Sequence, residues 1–231
     1  MDIFFDLDGT LTDPVVGITR CIQHALVRLG RTAPELESLR RCVGPPLRDS
    51  FAELLETADE ELLDRAIGLY RERFQPVGMF ENGVYPDVPA GLETLRGRGH
   101  RLWVVTSKPR VFAEEIVRHF GLIEHFAKIH GSELTGENAD KGNLIRHVLT
   151  EENIPPGEVW MVGDRMHDIL GARRNGVEAI GVLWGYGTEE ELRAAAPRRI
   201  VASMAELCEA IQTEKRLRPG EAEAFQGTVP G

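Results

Sequence analysis

Short apolar runs rich in β-branched and aromatic residues, separated by helix-sized stretches, constrain this chain more than any other feature. They are Ile3-Phe4-Phe5, Leu102-Trp103-Val104-Val105, Phe126-Ala127-Lys128-Ile129, Val159-Trp160-Met161-Val162 and Ile180-Gly181-Val182-Leu183, with a weaker one at Ile200-Val201. Runs apolar throughout, rather than alternating, belong to strands covered on both faces, and hence to a parallel sheet. The stretches Val111 to His119 and Asn143 to Leu149 are long enough to be the crossover helices. The expected fold is α/β, a doubly wound, Rossmann-like and mostly parallel sheet. Ligands in such a sheet bind beyond the carboxyl ends of the strands, so the residues that follow each run are the ones to read.

Residues 14–82 break the alternation. Their apolar positions recur at helical spacing, with Leu63, Ile67, Tyr70 and Phe74 on one face and Phe51, Leu54 and Leu55 on another. Asp13-Pro14 reads as an N-cap and first-turn pair, and Thr32 with Glu35 and Thr57 with Glu60 fit capping boxes. Asn82-Gly83 and Tyr85-Pro86-Asp87 read as turns back to the sheet. The expected organisation is a core of residues 1–13 and 83–212, an inserted α-helical domain over 14–82, and a flexible C-terminal tail over 213–231, which is poor in apolar residues.

Charge narrows the partners. Lys and Arg number 27 against 37 Asp and Glu, a formal charge of −10, which counts against a nucleic acid polymer. No apolar run is long enough to span a membrane, and the first residues carry acids where a signal peptide would be basic. Cys21, Cys42 and Cys208 show neither zinc-ligand nor disulfide-framework spacing. The expectation is a cytoplasmic protein acting on small molecules. Its oligomeric state is not legible.

Polar residues stand where the strands end. The first run leads into Asp6-Leu7-Asp8-Gly9-Thr10, where residues two apart can face one side. Close carboxylates persist by sharing a proton or holding a cation. The second run ends Thr106-Ser107-Lys108-Pro109, and the fourth ends Gly163-Asp164-Arg165-Met166-His167-Asp168. Lys141 precedes a helical segment. Each has an ordinary structural reading: loop acids, turn hydroxyls, a helix cap at Asp168, a surface charge at Lys141. Yet the lysines are only Lys108, Lys128, Lys141 and Lys215 in an arginine-biased chain, and two of them fall at these positions.

In combination, Phe5-Asp6-Leu7-Asp8-Gly9-Thr10-Leu11, Thr106, Lys141 and Gly163-Asp164 with Asp168 resemble the haloacid dehalogenase superfamily. The likeness is to its phosphoglycolate phosphatase-like branch with a helical cap. Gly44-Pro45-Pro46-Leu47 and the stretch from Asn175-Gly176 to Gly187 support it. The resemblance implies an Mg²⁺-dependent phosphatase of a small phosphorylated metabolite, phosphoglycolate-like or a nucleotide 5′-monophosphate. Asp6 would be the nucleophile forming an aspartyl-phosphate, Asp8 the acid and base, and Thr106 and Lys141 the stabilisers of charge. It further implies Mg²⁺ held by Asp6, the Asp8 carbonyl and Asp164, with Asp168 acting directly or through water. Ser107 and Arg48 are candidate substrate contacts, Arg48 being equally readable as an exposed first-turn residue, whereas Lys108 is read as structural. Alternatives on this fold are a sugar-phosphate mutase or a pyrophosphatase. From a different class comes a receiver-like signalling module, which needs no insertion.

Overall fold

The computed structural model describes residues 1–217. The chain opens with β1 (Asp2–Phe5) and the two-residue β2 (Thr12–Asp13), then α1 (Val15–Arg28), α2 (Leu47–Leu55) and α3 (Glu60–Arg73). It returns through β3 (Gly83–Val84) to α4 (Val88–Gly97), β4 (Arg101–Pro109), α5 (Arg110–His119), β5 (Lys128–Ser132) and α6 (Lys141–Glu151). The remaining elements are β6 (Val159–Gly163), α7 (Met166–Arg174), β7 (Glu178–Val182), α8 (Glu189–Ala195), β8 (Arg199–Val201) and α9 (Met204–Leu217).

Among the described residues the main sheet runs β5-β4-β1-β6-β7-β8, every neighbouring pair parallel. The expected α/β doubly wound architecture is the one observed. Strand alternation divides the interior in two. Ile3, Phe5, Leu102, Val104, Trp160, Val162, Ile180 and Val182 face one side, where α4, α5 and α9 contribute Leu92, Leu95, Ile116, Val117, Leu207 and Ile211. Phe4, Trp103, Val105, Val159, Met161 and Ala179 face the other, against Leu144, Ile145 and Val148 of α6, Ile169 and Ala172 of α7, and Leu192 of α8. The chain order reverses about β1, whose neighbours are β4 and β6, and this is the switch point at which an open α/β sheet leaves a crevice.

Residues 14–82 leave and re-enter at the antiparallel pair β2–β3, where Thr12 faces Val84 and Asp13 faces Gly83. The helices between them pack their apolar stripes on one another and on the sheet's first face. Ile22, Leu26, Leu39, Phe51, Leu63, Tyr70 and Phe74 are buried in the same continuous cluster as β1 and β4. A chain of rings carries this contact, from Phe51 to Tyr70 (6.3 Å), Tyr70 to Phe74 (5.1 Å, stacked) and Phe74 to Phe112 of α5 (5.4 Å).

Several local expectations shift. Pro14 occupies the N-cap position rather than the first turn, and Asp13 Oδ1 accepts from the Val15 amide at 3.2 Å. No helix starts at Thr32; Pro34 keeps the chain extended until a 3₁₀ turn at Leu36–Cys42. The cap of α3 is Asp59 rather than Thr57, its carboxylate accepting from the Glu61 and Leu62 amides, while Thr57 Oγ1 accepts from the Asp59 amide. Phe126 and Ala127 precede β5 instead of beginning it, and the Phe126 ring packs edge-on against Phe5. Helix α9 continues through Leu217, so residues 213–217, expected in a flexible tail, are helical; 218–231 lie outside the described residues.

Phe51 has no exposed surface and anchors the ring chain. Phe51→Ala is expected to lower stability by about 3 kcal/mol, as other large-to-small core changes do, measured as a shift of the urea midpoint at unchanged slope.

Candidate active site

The carboxyl edge of β1 brings Asp6 and Asp8 into the crevice. The Asp6 amide donates to the Val162 carbonyl at 2.9 Å, which extends the β1–β6 ladder by one residue and fixes the direction of the Asp6 side chain. Beyond it the chain folds into a tight loop, with the Leu11 and Thr12 amides both donating to the Leu7 carbonyl. Gly9 takes φ +86°, and a Cβ there would lie 2.3 Å from Asp164 Oδ2, so the loop and Asp164 can be this close only with glycine.

Asp6, Asp164 and Asp168 each offer an oxygen within 4.8 Å of the other two, and all three residues are buried. Asp164 directly follows β6, where it accepts from Thr10 Oγ1 at 3.2 Å and from the Tyr186 amide at 2.8 Å. Asp168 sits in the first turn of α7, where its Oδ2 accepts from the Arg165 amide at 3.2 Å. It therefore serves the helix start and the cluster at once, though from the third position of the helix, the N-cap itself being Arg165. Lys141, the first residue of α6, reaches under the sheet edge. Its Nζ donates to Asp6 Oδ1 at 2.8 Å and to the Val105 carbonyl at 3.0 Å, and lies 2.8 Å from Asp168 Oδ1.

Burial alone would pull the Lys141 pKa down, but the Asp168 and Asp6 carboxylates outweigh it and hold the ammonium above its ordinary value. At Asp164 the opposing pull of the Arg165 guanidinium is the weakest influence. Burial, then Asp168 and Asp6, push its pKa up to about 8. Burial also raises Asp168, to about 6 against the pull of Lys141. Three crowded, dehydrated carboxylates facing one ammonium are an unfinished charge balance, and a divalent cation with hard oxygen ligands would complete it.

Asp8 turns away from the cluster. Lys108 Nζ lies 2.8 Å from its Oδ1 and 2.7 Å from its Oδ2, and sits 4.9 Å from the centroid of the Phe74 ring. Burial raises the Asp8 pKa despite Lys108. β4 delivers Lys108 into the crevice, onto a candidate catalytic acid, a placement that a structural role and a catalytic one both allow. Thr106 is buried beside it, its Oγ1 accepting from the Lys108 amide at 3.3 Å, and the Ser107 carbonyl accepts from Ser132 Oγ at 2.8 Å.

These groups form the floor of a cavity of ≈ 520 Å³ that the inserted helices roof. Asp6, Asp8, Thr106, Ser107 and Lys108 line it from below, while Pro45, Ile67, Tyr70, Arg71 and Phe74 line it from above. Arg48 also borders the cavity, but its guanidinium is engaged by Glu60, at 2.5 Å, and by Asp64. It is held on the insertion's own surface rather than presented freely to a ligand. Arg71 crosses to the opposite wall and donates to the Leu134 carbonyl at 2.8 Å. Thr10, Arg165 and Tyr186 are participants that sequence reasoning did not single out. Thr10 and Arg165 stand inside quoted motifs, and Tyr186 inside the aromatic-glycine string 184–187.

A parallel sheet with this acidic crevice at its switch point defines a Rossmann-like enzyme. The chain belongs to the haloacid dehalogenase-like hydrolases, whose family model matches residues 3–182. It is 50% identical over 212 residues to a 5′-nucleotidase of Pseudomonas aeruginosa, covering 92% of this chain and 96% of that protein. It is 38% identical to the tyrosine-protein kinase PtkA of Mycobacterium tuberculosis over 80% of this chain, and spans 62% of that protein's length. Among solved structures, a predicted phosphatase from Clostridium acetobutylicum superimposes with a TM-score of 0.89 at 42% identity, covering 92% of this chain and 98% of that one.

Because folding raises the Asp164 pKa, the folded metal-free chain keeps a proton that the unfolded chain releases above about 4. Stability contributed by this group is therefore complete at low pH and lost as pH rises through about 8. Thermal melts of the metal-free protein are expected to show a lower Tm at pH near 8 than near 6, with the gap narrowing when Mg²⁺ is saturating.

Proposed function

We propose that the protein is an Mg²⁺-dependent phosphatase that hydrolyses the monoester of a small metabolite through an aspartyl-phosphate on Asp6. The observation that carries this reading is the division of labour among the buried acids. Asp6 is shared with Lys141 in a three-carboxylate cluster, whereas Asp8, two residues on, is held apart on Lys108.

Asp6 attacks phosphorus in line while the ester oxygen departs. Asp8, whose pKa burial raises, gives that oxygen its proton and afterwards takes one from the water that cleaves the acyl-phosphate. Lys141 and the Thr106 hydroxyl hold the phosphoryl oxygens and offset the repulsion between an anionic nucleophile and an anionic substrate. Asp6, Asp164, the Asp8 carbonyl and Asp168 would hold Mg²⁺, which supplies further positive charge to the transferring group. The fit rests on the uncompensated carboxylates described above.

The inserted segment acts as a cap, with residues 14–82 closing over the leaving group and 1–13 with 83–212 forming the catalytic core. Ser107 borders the phosphoryl site and Arg48 the cap side of the cavity. A volume of ≈ 520 Å³ lies in the range of pockets that enclose a nucleoside-sized ligand. With the 5′-nucleotidase likeness, this favours a nucleoside 5′-monophosphate over the smaller phosphoglycolate as the first substrate to try. The acidic charge weighs against a nucleic acid polymer, and no described helix is long and apolar enough to cross a membrane. A cytoplasmic enzyme of metabolites accords with both.

Phosphate release across a panel of phosphorylated metabolites, with and without Mg²⁺, tests the reading. Activity is expected to need the ion and to vanish in Asp6→Asn. Full activity in that variant, or phosphoryl transfer between sugar hydroxyls without phosphate release, would overturn it. Asp8→Asn is expected to lower kcat on alkyl esters by roughly 10²–10⁴-fold. The loss should be smaller on p-nitrophenyl phosphate, whose leaving group needs less help from a proton.

A further inference from the structure

Arg165 follows Asp164 directly, yet its side chain does not point into the carboxylate cluster. Its Nη1 donates to the Val43 carbonyl at 2.6 Å, and its Nε donates to Glu191 Oε1 at 2.8 Å. The same Glu191 oxygen accepts from the Met166 amide at 2.9 Å, so α8 fixes both the arginine and the start of α7. The side chain is largely buried, at 13% exposure, and Glu191 at 19%. On the other side of the arginine stem lies Gly44, at φ +103°, where a Cβ would come 2.9 Å from Arg165 Cγ. The backbone of 43–44 thus rests on the stem of Arg165. The residues that follow, Gly44-Pro45-Pro46-Leu47, line the cavity.

We propose that Arg165 is a positioning residue that determines specificity, by fastening the cavity-lining segment 43–47 of the insertion to the loop bearing Asp164. The inference rests on the phosphatase reading only for its kinetic arm. Through its backbone the residue steadies Asp168, and through its guanidinium it sets the height of the roof over the floor. One side chain therefore couples the two walls between which a leaving group must fit. A lysine could reach one of the two acceptors but could not serve both from a planar fork.

Two measurements on the full chain test this. The first is amide hydrogen exchange in the peptide spanning residues 40–48. Arg165→Ala is expected to speed exchange there about tenfold or more, the scale of losing a hydrogen bond from a charged group. Glu191→Gln is expected to act in the same direction but less, and it stands in if the alanine variant fails to fold. The second is a comparison of esters. In Arg165→Ala, kcat/KM for adenosine 5′-monophosphate is expected to fall about tenfold further than that for p-nitrophenyl phosphate, chiefly through KM, with Arg165→Lys intermediate. Unchanged exchange at 40–48 would overturn the proposal, as would equal losses on the two esters. A half-maximal Mg²⁺ concentration that shifts in step with KM would also overturn it, by placing the effect at the carboxylate cluster instead. If the native chain hydrolyses neither ester, the phosphatase reading fails while the exchange measurement still judges Arg165.

Discussion

The structure depends on concentrating negative charge where the solvent cannot dilute it. Asp6, Asp8, Asp164 and Asp168 are all buried at one edge of the sheet, where Lys141 pairs with Asp6 and Asp168 and Lys108 with Asp8. Such an arrangement costs stability, because unpaired carboxylates in a low-dielectric setting repel one another and lose their hydration. The fold sustains it because each acid is tied to a rigid element. Asp6 extends the β1–β6 ladder, Asp164 receives two donors from neighbouring loops, and Asp168 closes the first turn of α7. Crowding of this kind at a candidate functional site is a frequent relation between function and stability.

Much of this was legible in the sequence because it depends on local pattern. Strand-length apolar runs placed the six strands of the sheet, and the acids just after them placed the crevice. Asp6, Lys141, Asp164 and Asp168 meet, although Lys141 lies 135 positions from Asp6 along the chain, while Asp8 and Thr106 stand on the cavity floor beside them. The contact of Lys108 with Asp8 was not legible, because it depends on which way the irregular end of β4 turns, and the register shift between Thr106 and Pro109 has no signature in residue type. At Arg48 the sequence allowed a ligand contact or an exposed first-turn residue; Glu60 and Asp64, brought alongside by the packing of α3, pair with a guanidinium that also borders the cavity.

Helix starts were the least legible features. Thr57 and Thr32 fit the capping-box pattern that Asp59 lacks, yet Asp59 caps α3 through the Glu61 and Leu62 amides and no helix begins at Thr32. The insertion itself was recognisable by period, since the buried face Leu63, Tyr70 and Phe74 has the expected spacing, with Ile67 at the cavity wall. What periodicity could not reveal is that this face does not close on itself. It joins the cluster that contains β1 and β4, so the roof of the cavity and the sheet beneath are parts of one interior.

That shared interior limits how the enzyme can change. Tyr70, Phe74 and Phe112 are at once walls of the cavity and the rings that weld the insertion to α5. A lineage adapting to a bulkier or more polar ester by trimming these rings would loosen the junction at the same stroke. Innovation is therefore steered toward positions that face the cavity without bridging the two layers, such as Ile67, where a new substrate can be accommodated and the scaffold left whole.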